Sequence, residues 1–119
     1  MSEAILYAID APDITDAATA VRFVEQHKDS MEPPTEKIAS FFENLLLVWP
    51  EDGSRGQIWY EDFTHNRPGG CVLEMTFELS EFNQGRLDQL RAISEEHGVH
   101  VLDSEGEVVY LADGSEAGT

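Results

Sequence analysis

Glu61, Asp62 and His65 bring two carboxylates and an imidazole close together, a donor set that suits a divalent metal. The same three residues are also ordinary for a strand end and the loop after it, and that plainer reading is the stronger. His97 and His100 flank Gly98. The change from helix to strand between them removes a shared face, and His97 reads as a last-turn residue facing its helix dipole. The adjacent Glu95 and Glu96 read as a solvated face. The sequence contains no cysteine pair for zinc, no His-Glu-x-x-His, no phosphate-cradling glycine loop and no nucleophile elbow. The expectation is a protein without catalytic residues, cofactor or tightly bound metal.

Binding offers better candidates. Trp49 lies in helical phase with Phe42 and Leu45 and belongs to the core. Trp59 and Tyr60 are neighbours in a short strand-like run, so they point to opposite faces and one of them is a candidate contact anchor. Cys71 to Leu79 alternates. Cys71, Leu73, Met75, Phe77 and Leu79 face one way, and Val72, Glu74, Thr76 and Glu78 face the other. Glu74, Thr76 and Glu78 thus read either as a solvated sheet face or as an acidic platform able to pair with arginines. Together with Trp59, Tyr60, Glu61 and Asp62 they form the candidate binding set.

The elements that must hold these residues follow from local pattern. Ala4 to Ile9 is a continuous apolar run closed by Asp10-Ala11-Pro12, which suits a strand buried on both faces inside a sheet. Asp13 is a candidate cap for a helix carrying Ala17, Ala20, Val21 and Val24 and fading near His27. Pro33 and Pro34 stiffen the start of a second helix, Thr35 caps it, and Pro50 ends it. Its apolar stripe is Ile38, Phe41, Phe42, Leu45, Leu46 and Trp49, with Phe42 and Leu45 expected in the core. Gln57 to Phe63 reads as a strand and Asn66 to Gly70 as a loop. Ser80 is the expected cap of a third helix carrying Leu87, Leu90, Ile93 and, at its start, Phe82, which ends at Gly98. Val99 to Leu102 and Glu107 to Leu111 form a hairpin joined at Asp103 to Gly106. The order predicts an α+β fold, a mainly antiparallel sheet with about three helices packed on one face. Residues 1–113 make a single domain and 114–119 a flexible tail.

Charge separates the function classes. Twenty-four acidic residues stand against seven basic ones in 119, a formal net charge of −17. Such a balance repels nucleic acid and anionic membrane and attracts a basic partner, although it also serves solubility alone. Cys71 is a lone cysteine, the N-terminus lacks a signal-peptide pattern, and no apolar run is long enough to span a bilayer. These features predict a cytoplasmic protein.

Three stretches carry a resemblance. They are Pro33 to Phe41 leading to Leu45-Leu46 and Trp49-Pro50; the strand Val72 to Phe77; and Ala92 to Gly98 followed by Val101-Leu102-Asp103. In these the chain resembles small bacterial proteins encoded beside secreted toxins, many of them cognate immunity proteins. Members of that group usually end in a proline-containing strand, and here Glu107 to Leu111 has no proline. The resemblance implies a cytosolic protein that binds and neutralises a cognate toxin or effector by stoichiometric occlusion, with no catalytic residue to carry over. A regulatory or adaptor protein for a basic partner is the alternative. A small metal-dependent enzyme built on Glu61, Asp62 and His65 is a third.

Overall fold

The computed structural model describes residues 3–27, 30–49, 59, 70–103 and 108–118. Its elements in chain order are β1 (Glu3–Ile9), α1 (Ala17–His27), α2 (Glu36–Val48), β2 (Val72–Glu78), α3 (Gln84–His97), β3 (His100–Asp103), β4 (Val108–Tyr110) and β5 (Glu116–Ala117). The strands form one sheet in the order β2-β1-β3-β4-β5, with every neighbouring pair antiparallel. The expected α+β class therefore holds, with three helices and an antiparallel sheet.

The helices do not share a face. On one side Leu6, Ala8, Leu73, Met75, Phe77 and Val101 meet Ile38, Phe41 and Leu45 of α2 and Leu90 and Ile93 of α3. On the other side Ile9, Val72, Leu102 and Val109 meet Ala17, Ala20 and Val24 of α1. The cause is in β1, whose central place between β2 and β3 leaves both of its faces needing cover. Ala4, Leu6 and Ala8 serve the first cluster; Tyr7 and Ile9 serve the second. The small residues Ala17 and Ala20 let α1 sit close to its side of the sheet.

Caps set the helix limits. The Thr35 hydroxyl oxygen accepts from the Ile38 N–H at 3.3 Å, as its position predicts. α1 starts later than Asp13, because Ile14 first turns inward to 5% exposure. Asp16 then accepts from the Thr19 N–H at 2.8 Å and from the Thr19 hydroxyl at 2.7 Å. α3 likewise starts at Asn83, which accepts from the Arg86 N–H at 3.0 Å. Ser80 instead donates to Glu78 at 3.3 Å in a turn, and Phe82 stays outside the helix, stacked on Phe77 at 4.5 Å. α3 ends at Gly98, left-handed at φ 70°, with the Val99 N–H donating back to the Ser94 carbonyl at 3.0 Å.

The C-terminal residues read from composition as a free end, yet Glu116–Ala117 pairs with β4 as β5. Gly114 makes this return possible at φ 93°, where a β-carbon would lie 2.6 Å from a Glu95 carboxylate oxygen. The Gly118 carbonyl then accepts from the Ala17 N–H at 3.3 Å and ties the strand to the start of α1.

Candidate protein-binding face

Antiparallel pairing of β1 with β2 sets Glu3 opposite Glu78, Ile5 opposite Thr76 and Tyr7 opposite Glu74. All six side chains belong to the sheet face that α1 covers. The cluster under α1 takes in Tyr7, Ile9, Val72, Leu102 and Val109 of this face, while Glu3, Glu74 and Glu78 surround the buried Thr76 toward its other end. One end of this face is thus apolar core, and the other carries three carboxylates around Ile5 and the buried Thr76. Tyr7 lies between them and donates its hydroxyl to Glu74 Oε1 at 3.2 Å. Glu3 is exposed, and Glu74 and Glu78 are half-buried. Glu3 and Glu78 are like charges directly across a strand pair, an arrangement that destabilises a sheet. Glu3 gave no sequence-level signal as a site residue; pairing with β2 is what brings it beside Glu78.

Of the residues singled out in the sequence, Glu74 and Glu78 thus share a surface. Thr76 lies between them but is buried at 3% exposure, so it supports the face without offering itself to a partner. Trp59 belongs elsewhere. It is buried at 1%, bridges to Phe77 across antiparallel backbone, stacks on the Phe77 ring at 4.8 Å and donates its indole N–H to the Trp49 carbonyl. Phe42 and Trp49 meet the Trp59 and Phe77 rings edge-on at 6.4 and 6.0 Å. Trp59 is a core residue, not a contact anchor. Tyr60, Glu61, Asp62 and His65, and with them the metal constellation, lie outside the described residues. Among the described residues, no three histidines, cysteines or carboxylates are grouped so as to hold a metal. No helix among them is long and apolar enough to cross a membrane.

Cys71 and Tyr110 are shifted by their surroundings. Burial pushes the Cys71 thiol up, and the nearby Asp10 and Glu32 carboxylates push the same way, which disfavours the reactive thiolate. Burial also raises the Tyr110 hydroxyl, assisted by Asp103 and Glu116, while Arg91 stacks on its ring at 4.6 Å. His97 closes α3 and meets the Asn44 amide of α2 at 3.1 Å, which joins the two helices. A cavity of about 390 Å³ lies between the β1–α1 connection and α1, lined by Ala11, Pro12, Asp13, Ile14, Thr19, Arg22, Phe23 and Gln26. It is open and holds both an acid and a base, so its lining selects no ligand charge.

No family model, curated protein or solved structure matches the chain.

Proposed function

We propose that this chain is a cytosolic immunity-type protein that binds a basic toxin domain one to one and neutralises it by occlusion, with no catalysis of its own. The observation that carries the reading is the acidic end of the β1–β2 face, where the register sets Glu3 opposite Glu78 with Glu74 on the same face, Glu3 exposed and the other two half-buried. Opposed carboxylates cost a sheet stability, and keeping them makes sense where a partner supplies the counter-charge. The net charge of −17 adds a long-range field that speeds encounter with a basic surface and repels nucleic acid. Occlusion needs no catalytic constellation. The resemblance of the three stretches to immunity proteins turns a general acidic binder into an inhibitor of a secreted toxin.

The test is co-expression with the gene next to this one, followed by purification through a tag on either product. The reading expects the neighbour to be toxic alone, harmless when co-expressed, and recovered with this chain in equal amounts. A toxic neighbour that stays toxic, or one that never co-purifies, contradicts it.

A further inference from the structure

His100 has both ring nitrogens committed to backbone groups of fixed polarity. Its Nε2 lies 2.9 Å from the Ala11 carbonyl oxygen, and its Nδ1 lies 3.0 Å from the Ala112 amide nitrogen. A carbonyl only accepts, so Nε2 carries the proton; a backbone N–H only donates, so Nδ1 is bare. The ring is thereby fixed as the neutral Nε2–H tautomer, and it joins the β1–α1 connection to the β4–β5 turn across the end of β3.

We propose that His100 is a protonation-sensitive latch for the β4–β5 turn. A proton added at Nδ1 would face the Ala112 N–H and break that bond, whereas the bond from Nε2 to Ala11 would survive and gain charge assistance. The effect is one-sided: the turn is released and the β1–α1 connection is held. Charged groups on the surrounding elements shape the outcome. Asp10 and Asp13 lie on the β1–α1 connection, Asp16, Arg22 and Glu25 at or on α1, and Asp113 and Glu116 on the turn and β5. From α3, Arg91 donates to the Gly114 carbonyl at 3.4 Å and Glu95 approaches Gly114. Asp113 is the acceptor assigned to the new N–H, because it follows Ala112 directly in the same turn. At present that carboxylate accepts from the Ser115 hydroxyl and from the Ser115 N–H at 2.9 Å. Protonation therefore exchanges one set of turn contacts for another and loosens β5, which reaches α1 through Gly118 and Ala17.

Imidazole nitrogen NMR with amide hydrogen exchange on the whole chain tests the latch. At neutral pH the spectrum should report the Nε2–H tautomer for His100. Through the His100 titration the protection factor of the Ala112 amide should fall about fivefold or more, while amides of β1 paired with β2 keep theirs. The Ser115 amide resonance should move with the same titration in the parent and stay still in Asp113→Asn. An Nδ1–H tautomer at neutral pH, or an Ala112 amide equally protected before and after protonation, would overturn the proposal. So would a Ser115 response unchanged in Asp113→Asn.

Discussion

Phe41 and Phe42 are adjacent in α2, yet only Phe41 reaches the centre of the core, fully buried beside Ile38 and Leu45. Phe42 packs at the margin, edge-on to Trp59. The apolar stripe was legible in the sequence, but its wide arc did not reveal which member lies at its middle. Phe41→Ala should therefore cost about 3–5 kcal/mol in urea melts, and Phe42→Ala distinctly less. Equal losses would contradict the assigned helix phase. Trp59 shows the same limit for strands: alternation says that Trp59 and Tyr60 face opposite ways, not which of them faces the core. Its stack on Phe77 and its bond to the Trp49 carbonyl make Trp59→Ala a stability variant. It should lose about 3–5 kcal/mol of stability, with no separate loss of partner affinity in the fraction that stays folded.

At the scale of elements, the caps at Thr35 and Gly98 were legible by type and position, whereas those that start α1 and α3 were legible by type alone. Asp13 and Asp16, or Ser80 and Asn83, are nearly equivalent as local cap residues, and the choice between them is made by what must be buried first. Ile14 and Phe82 each pack against the core before their helix begins, which delays it to the later cap. In urea melts Asn83→Ala should cost about 1 kcal/mol, and Ser80→Ala should be close to neutral. Asp16 adds a pH signature. The Thr19 N–H, then the Thr19 hydroxyl, hold its carboxyl below the usual aspartate range. A lowered folded value means that this stabilisation is complete above the ordinary value and is lost as pH falls through the folded one. Asp16→Asn keeps an acceptor that does not titrate. Its melting temperature should fall less than the parent's between about pH 7 and about pH 2; parallel falls would remove Asp16 from the acid limb. The side taken by α1 had a signal that the one-face expectation passed over. A strand apolar on both faces, as Ala4 to Ile9 is, requires cover on both.

Across the whole molecule, the acidic excess acts on the free protein as self-repulsion and on a basic partner as attraction. Its sign and size were plain in the sequence. Its arrangement was not, because Glu3 and Glu78 lie far apart in the chain and meet only through the pairing of β1 with β2. Neutralising the carboxylates of this face should relieve the free protein while weakening the complex, so Glu78→Gln should raise the melting temperature at low salt. Added salt should raise that of the parent as well. The most direct measurement is the binding kinetics of the purified chain and the proposed toxin domain, taken as the product of the neighbouring gene, at two salt concentrations, for the parent and for Glu74→Gln/Glu78→Gln. One-to-one binding is expected. The double variant should associate more slowly at low salt, with a weaker salt dependence; if the carboxylates pair with desolvated arginines, dissociation should also quicken and the loss reach about 2–5 kcal/mol. A parent that binds no basic domain, or a double variant with the same rates as the parent at low salt, would contradict the acidic face as the site of recognition.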